Sequence, residues 1–339
     1  LAVTSMARPP KMLESAGMAI IICSIFNLVI VFVDTATFAV GLSSMLDFIR
    51  NADYAQLFSH QFMGIKRVTG SYPEASSYVT AATGLFAFNF RLWRGGVKPQ
   101  LTGLVALLTF ATVLFAFSST GYVTLAVYLM MAYAVTITGL DTQSSSSPFS
   151  MINRRVFVSL GPHMALAGAM AVALKPDLLD PIIRTFDNSI ASKLTSASGI
   201  ERTSWNMGGF RAFFESYGLG AGTGSVRTSS FAVGVLANLG VLGAGLFALF
   251  FFGLFRGKPE LNTPLADNEA RQYASAARAG CFSILLAATV SGATIDLGIH
   301  FYVMAGIACA SLFYRRPAQQ SASGPAWSGQ QTGHHIPSY

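Results

Sequence analysis

The stretch PQLTGLVALLTFATVLFAFSSTGYVTLAVYLMMAYAVTITGL, from Pro99 to Leu140, decides the fold class because it contains no charged side chain. A membrane-spanning helix needs about 20 apolar residues. The stretch is therefore long enough for two crossings, and the polar residues Ser118–Gly121 predict the turn between them. Other stretches carry no charged residue or almost none: Ala16–Val33, Thr228–Phe255 and Gly280–Tyr314. The sequence predicts an integral membrane protein.

The composition agrees with this class. Hydrophobic residues make up 52% of the chain and charged residues only 11%, whereas a soluble domain has roughly 25% charged residues. We predict an all-α, polytopic membrane helix bundle of about eight transmembrane helices. The predicted spans are Ala16–Leu42, Ser76–Leu92, Leu101–Phe117, Tyr122–Leu140, Val156–Leu174, Phe231–Phe255, Arg278–Ser291 and Leu297–Phe313.

The three cysteines all fall within apolar stretches, where cysteine behaves as a small hydrophobic residue. No group of residues has the spacing of metal ligands. We therefore expect no metal and no cofactor.

The basic residues predict the orientation in the membrane. Short loops after alternate spans are strongly basic, and an excess of Lys and Arg marks the cytoplasmic side. The basic loop residues are Arg91, Arg94, Lys98, Arg154 and Arg155. The net charge of +7 follows from this asymmetry, so nucleic acid is not an expected partner.

Both termini are then cytoplasmic, and two substantial loops are extracytoplasmic. The predicted organisation is a cytoplasmic segment 1–15, a membrane domain 16–314 with outer loops 43–75 and 175–230, and a disordered cytoplasmic tail 315–339.

The stretch GLGAGTGSVRTSS, Gly218 to Ser230, lies in the second outer loop and has two interpretations. In the first, the glycines end one helix and let the chain turn tightly into the next span. In the second, backbone N–H groups bind a phosphate or pyrophosphate beside Arg227. The loop residues of this second interpretation are Gly220, Gly222, Gly224 and Ser229. A P-loop is excluded because no lysine follows the glycines.

An amphipathic helix is predicted over Glu201–Gly218, with its aromatic residues sharing much of one face, as in helices of the membrane interface. Arg202 is either solvent-exposed or part of a binding site. Arg211 and Glu215 have the spacing of an ordinary helical ion pair, or they too belong to a site.

The first outer loop ends in KRVTGSYPEASSY, Lys66 to Tyr78. Arg67 precedes a glycine turn, and Glu74 stands where the next span begins. A carboxylate is favoured there by the helix dipole. Glu74 is therefore interpreted as a helix cap or, alternatively, as a general base or sugar-binding group at the membrane surface.

Two carboxylates near the ends of spans are expected to be structural. Asp34 follows a long uncharged stretch and is placed near the outer interface. Asp296 is expected to cap the last span.

The order of these features resembles the O-antigen polymerase and ligase superfamily, nearest to the bacterial exopolysaccharide polymerases. The matching parts are R-V-T-G-S-Y-P-E-A-S-S before a span, a hairpin turning at F-S-S-T-G-Y, R-x-x-W from Arg202 to Trp205, the glycine stretch, and the span motif A-N-L-G-V-L-G-A-G. The resemblance covers Phe38 to Tyr314. Members usually have more than eight spans, so N-terminal spans are expected to be missing.

The resemblance implies a GT-C-like fold and the polymerisation of oligosaccharide repeat units carried on undecaprenyl pyrophosphate. The reaction is expected at the outer face of the bacterial inner membrane, by inverting glycosyl transfer without a metal. A chain-length regulator or export complex is the implied partner, beside membrane lipids. Ligases of the superfamily usually have a histidine shortly after the glycine stretch, and this chain has Thr228, Ser229 and Ser230 there. This departure disfavours the ligase alternative.

The chemistry assigns candidate roles to six residues. A pyrophosphate leaving group needs cations, for which the candidates are Arg67, Arg202, Arg211 and Arg227. The acceptor hydroxyl needs a base, for which the candidates are Glu74 and Glu215. A secondary transporter or flippase for a lipid-linked saccharide and a structural scaffold of an export complex are the alternatives from other classes.

Overall fold

The computed structural model describes residues 9–50, 57, 59–62, 64–139, 148–174, 197–256 and 266–313. Their α-helices are α1 Pro9–Ala39, α2 Ala75–Gly95, α3 Pro99–Phe115, α4 Ser119–Ile137, α5 Pro148–Leu174, α6 Ala197–Glu215, α7 Phe231–Arg256, α8 Ala266–Ser291 and α9 Gly298–Phe313. A 3₁₀ helix, Ser43–Ile49, and two antiparallel strands, β1 Gln61–Phe62 and β2 Ile65–Lys66, lie between α1 and α2.

Within the described residues, four helices are long and apolar enough to cross a membrane: Lys11–Ala39, Ser119–Ile137, Phe231–Arg256 and Glu269–Ser291. Two shorter apolar helices, Pro99–Phe115 and Gly298–Ala310, accompany them. The chain is a helical membrane protein, as its composition predicts. The count of eight spans and the GT-C-like arrangement stay predictions.

Helix α2 forms the centre of the bundle and is buried along most of its length. One face of α2, including Leu85, Phe88 and Leu92, packs into a hydrophobic cluster with α1, α7, α8 and α9. Another face, including Val79 and Phe86, packs into a second cluster with α3 and α4. Because it faces protein on both sides, α2 tolerates more polar residues than a lipid-facing span.

Helices α2 and α8 approach each other closely through small residues. A Cβ added to Gly84 would lie 2.4 Å from Ile284 Cγ1 and 3.3 Å from the carbonyl oxygen of Gly280. Small residues permit this approach, which drives helix association where water supplies no hydrophobic force.

The helix ends gather at two ends of the bundle. The upper end holds the start of α2, the α3–α4 turn, the start of α7 and the α8–α9 turn. In that last turn, Asp296 Oδ1 accepts a hydrogen bond from Gly298 N–H at 2.9 Å, immediately before the final helix.

The lower end holds the α2–α3 turn and the starts of α5 and α8. There Arg91 donates to Gln272 Oε1 at 3.1 Å, and Ser150 Oγ donates to the carbonyl of Arg94 at 3.0 Å. The two predicted basic loops therefore meet at one end.

Several helices are longer than the predicted spans. Helix α8 begins at Ala266 rather than near Arg278, and α5 begins at Pro148 rather than near Val156. Charged residues end an apolar span but do not end a helix, so these helices continue past the predicted boundaries. The predicted tail 315–339 and residues 175–196 of the second outer loop lie outside the described residues.

Candidate functional site at the upper end

The glycine stretch Gly218–Ser230, hereafter the glycine loop, lies against a break in helix α7. Gly218, Gly220, Gly222 and Gly224 all have positive φ angles. Helix α7 is interrupted at Gly240, with φ 66° and ψ −166°, a combination open almost only to glycine. A Cβ on Gly220 would lie 2.5 Å from the Gly240 nitrogen, so both glycines are needed for the contact.

The glycine loop supplies hydrogen bonds that the broken helix lacks. A helix interior pairs each carbonyl with the N–H group four residues later, and the break at Gly240 disrupts this pairing. Backbone groups of the loop replace the missing partners. The bonds are Ala221 N–H to Ala237 O (2.8 Å), Gly222 N–H to Asn238 O (3.0 Å) and Val241 N–H to Gly218 O (2.9 Å).

The side chain of Asn238 fixes the other end of the loop. Its Oδ1 accepts from Val226 N–H at 3.1 Å, and its Nδ2 donates to the carbonyls of Val226 at 3.0 Å and Gly234 at 2.9 Å. Asn238 is buried, and satisfying its amide holds the loop beside the helix.

These contacts favour the first interpretation of the glycine stretch, a tight turn, over the phosphate cradle. Besides the bond of Gly222, Gly220 N–H donates to Ser216 Oγ at 3.0 Å and Ser229 N–H donates to Asn206 Oδ1 at 2.8 Å. Among the four predicted loop residues, only Gly224 keeps an N–H group without a partner in the described part of the chain. The loop glycines serve the helix break, so an anion at this end depends on side chains.

We expect Gly240→Ala to lower the free energy of unfolding by about 2–3 kcal/mol, because alanine is strained at this φ and ψ and its Cβ would lie 2.3 Å from the Gly218 carbonyl oxygen. Thermal unfolding of purified protein in detergent measures the change. Gly245→Ala is the matched control, since nothing lies within 4 Å of an added Cβ there. Equal melting temperatures for the two variants would contradict the described break.

The side chain of Arg227 extends from the glycine loop and stacks on Trp205 of helix α6. Its guanidinium carbon lies 4.2 Å from the ring centroid of Trp205. Arg227 is exposed, and it forms no ion pair with a carboxylate of the described residues. A cation–π contact fixes the plane of the guanidinium group without neutralising it. The donors of Arg227 therefore stay open to a ligand.

Arg67 ties the loop between α1 and α2 to the α3–α4 turn. Its Nε and Nη2 donate to the carbonyls of Ala116 and Phe117, both at 3.1 Å. Its Nη1 forms no hydrogen bond within the described part of the chain. The side chain is half-buried and held in place with one nitrogen still available.

Arg67 also interacts electrostatically with three other polar side chains. Burial lowers the pKa of Arg67; Glu74 and Tyr122 raise it, and the like charge of Arg202 lowers it. Arg202 lies on α6 one helical turn before Trp205, and so on the same side of that helix. We call Arg67, Arg202 and Arg227 the arginine cluster.

Glu74 is the residue that precedes helix α2. Its backbone is extended, as in a helix N-cap, but its side chain caps no backbone N–H group. The carboxylate instead accepts hydrogen bonds from Ser76 Oγ and, at 3.5 Å, from Ser77 Oγ. Glu74 thus occupies the predicted capping position while its carboxylate stays half-buried near Arg67.

Arg211 and Glu215 lie elsewhere on α6. Nine and thirteen residues after Arg202, they fall on the opposite side of the helix, and both are exposed. They form no ion pair with each other, since the ion pairs of the described residues all involve Asp34. The structure places Arg67 within electrostatic range of Glu74 and Arg202. Arg227 lies against Trp205, one turn from Arg202, and Arg211 and Glu215 lie on the opposite side of α6.

A buried ion cluster around Asp34 was not predicted. Asp34 is 2% exposed and pairs with both Arg50 and Lys66. It also accepts from Gly70 N–H at 3.2 Å, and Arg50 Nη2 donates to the Gly70 carbonyl at 2.9 Å. Burial lowers the pKa of Lys66, although Asp34 raises it. This cluster holds the loop between α1 and α2 on the end of α1.

Comparisons with protein-family models, with curated proteins and with solved structures found no match for the chain. Among the described residues, no group of three or more His, Cys, Asp or Glu side chains is placed to hold a metal ion. The functional interpretation therefore depends on the arginine cluster and its surroundings.

Proposed function

We propose that the chain is a glycosyltransferase of the bacterial inner membrane that polymerises oligosaccharide repeat units carried on undecaprenyl pyrophosphate. The observation that carries this proposal is the arginine cluster beside Glu74. Its members come from the first outer loop, from α6 and from the glycine loop. Cations gathered from separate segments are what a pyrophosphate leaving group requires.

In the proposed reaction, Glu74 accepts the proton of the acceptor hydroxyl. The hydroxyl oxygen attacks the anomeric carbon of the donor sugar and forms the new glycosidic bond. The bond from that carbon to the pyrophosphate oxygen breaks, and the electron pair leaves with the pyrophosphate. Attack opposite to the leaving group inverts the anomeric configuration. Arg67, Arg202 and Arg227 stabilise the charge that grows on the leaving group.

The positions of the two candidate bases favour Glu74. Glu74 interacts with Arg67, so a base at this position is close to the proposed leaving-group site. Glu215 is exposed on the far side of α6 from Arg202. The same placement makes Arg211 the weakest of the four candidate pyrophosphate ligands.

The alternative with support from a specific observation is a transporter or flippase. Transporters often bind their cargo at broken membrane helices, and α7 is broken at Gly240. In those sites the broken backbone coordinates the cargo. Here the glycine loop satisfies the carbonyls of Ala237 and Asn238, which favours a structural break and leaves the enzyme as the better proposal.

Purified protein in liposomes, supplied with a lipid-linked repeat unit, tests the proposal. We expect polymer to form without an ion gradient and in excess chelator. Movement of the lipid-linked unit between leaflets without new glycosidic bonds would instead support the transporter. Polymer that forms only after one specific metal is restored would contradict the metal-independent mechanism.

The proposal requires the upper end to face outward. We expect an impermeant thiol reagent on intact cells to label Thr223→Cys, an exposed position of the glycine loop, and not Lys98→Cys, an exposed position of the α2–α3 turn. The parent protein gives the background from the native cysteines. Labelling of Lys98→Cys with protection of Thr223→Cys would show that the upper end faces the cytoplasm, which contradicts the proposed function.

A further inference from the structure

The lower end of the bundle contains a cavity between helices α4 and α5, away from the arginine cluster. Its volume is about 690 Å³. The cavity lies where the candidate membrane span Ser119–Ile137 ends, which is the depth at which a helix passes from lipid chains to headgroups. The lining combines two arginines, Arg154 and Arg155, with a mainly apolar wall.

The charged part of the cavity is built from the last turn of α4 and the first turns of α5. Arg154 Nη2 donates to the carbonyl of Thr136 at 2.7 Å, which holds its guanidinium group at the helix end. Arg155 is exposed. Neither forms an ion pair with a carboxylate of the described residues. Two adjacent cations therefore lie in the cavity wall, one of them fixed in position.

The apolar part continues along the same helix. Val158 and Pro162 line the cavity from α5, and Pro162 lies about 12 Å beyond Arg154 along the helix axis. Ile137 and Met151 also line it and are 57% and 52% exposed. An apolar surface that begins at a pair of cations matches a molecule with an anionic head and a hydrocarbon tail.

We propose that this cavity binds an anionic phospholipid, with Arg154 and Arg155 on the phosphate and the apolar wall on the first methylene groups of the acyl chains. Basic pockets between membrane helices bind lipid headgroups by this combination. A soluble anion would use the arginines but gain nothing from the apolar wall. The wall is therefore what selects a lipid.

Binding of phosphatidylglycerol and phosphatidylcholine to the full chain in detergent, measured by native mass spectrometry, tests the proposal. We expect the protein to retain phosphatidylglycerol in preference to phosphatidylcholine. A surface arginine contributes about fivefold in affinity for an anionic lipid. Arg155→Gln should therefore weaken phosphatidylglycerol binding about fivefold, and Arg154→Gln with Arg155→Gln about thirtyfold.

Two further variants separate the cavity from general charge. Lys98→Gln with Arg256→Gln removes two cations outside the cavity lining and should leave the preference unchanged. Val158→Trp fills the apolar wall without altering charge and should weaken lipid binding. Inorganic phosphate should not raise the melting temperature as phosphatidylglycerol does.

Equal retention of the two lipids by the unaltered protein would overturn the proposal, and so would loss of the preference in the variant Lys98→Gln with Arg256→Gln. The proposal would also fail if inorganic phosphate raised the melting temperature as much as phosphatidylglycerol does while Val158→Trp left lipid binding unchanged. Because Arg154 also donates to Thr136, lipid binding by the double variant is interpreted only if that variant stays monodisperse. If it does not, the single variant Arg155→Gln tests the contribution of the cations, since the Arg155 side chain has no partner among the described residues.

Discussion

Replacing both Arg202 and Arg227 with lysine is expected to lower polymerisation about a thousandfold while the protein still inserts and accumulates. Arginine presents a planar fork that engages two phosphate oxygens, whereas lysine is a point charge. Lysine also loses the flat stacking that holds Arg227 4.2 Å from the Trp205 ring centroid. Each charge-assisted contact contributes about 1.5–3 kcal/mol, or roughly ten- to a hundredfold in rate.

The single variants and a matched control make this prediction specific. Arg227→Lys and Arg202→Lys should each lose roughly tenfold or more, and the corresponding alanine variants should lose more than the lysine variants. Arg256 stacks on Phe252 at 4.9 Å and lies near the opposite end of α7, so Arg256→Lys removes a similar contact away from the cluster and should keep full activity. An interfacial arginine that only anchors a helix is replaced by lysine without loss. If both lysine variants give as much polymer per amount of protein as the unaltered protein, these arginines do not bind a pyrophosphate.

Asp34→Asn is expected to lower the free energy of unfolding by about 3–5 kcal/mol. The substitution leaves Arg50 and Lys66 buried together without the carboxylate that both contact. Removing one partner of a buried ion pair lowers stability by more than the intact pair contributes, because the remaining charge stays desolvated without its counter-charge. Thermal unfolding in detergent measures the loss.

A second aspartate of the same region provides the control. Asp47 is exposed and forms no ion pair within the described residues, so Asp47→Asn should change stability by less than about 0.5 kcal/mol. Adding Lys66→Met to Asp34→Asn should recover part of the loss, since one buried cation is removed with its counter-charge. If Asp34→Asn unfolds at the same temperature as the unaltered protein, the buried cluster does not hold the loop.

The class of the protein and several local features were predictable because they depend on residues close in sequence. Stretches without charge predict helices in a membrane, and Tyr217–Gly218 predicts a helix end. In the structure Gly218 has φ 78° and donates to the Phe213 carbonyl at 2.9 Å, as in a helix C-cap. The hydrogen bond from Gly298 N–H to Asp296 is equally local. Each of these two features lies within about one turn of the chain and depends on the backbone preference of a single residue.

The Asp34 cluster was not predictable in the same way. Arg50 and Lys66 follow Asp34 by 16 and 32 residues. The described residues between α1 and α2 form only a short 3₁₀ helix and two-residue strands, none of which was predicted from the sequence. The only sequence signal was the position of Asp34 at the end of a span, where a carboxylate needs a partner. Which cations meet it depends on how the loop folds back.

The role of the glycine loop also depended on a distant residue. The sequence permits both a phosphate cradle and a tight turn, and the break at Gly240 favours the tight turn. Nothing distinguishes Gly240 from the other glycines of its span in the sequence. Because the break requires hydrogen-bond donors, the loop N–H groups of Ala221 and Gly222 are used there.

Direct measurement of lipid binding tests the central claim, that the arginine cluster binds a pyrophosphate. Purified protein should bind undecaprenyl pyrophosphate at least about tenfold more tightly than undecaprenyl monophosphate, because the second phosphate adds charge-assisted hydrogen bonds. Arg202→Gln with Arg227→Gln should abolish that preference while leaving the melting temperature within a few degrees of the unaltered protein. Equal affinity of the unaltered protein for the two lipids, or an undiminished preference in the double variant, would contradict the account.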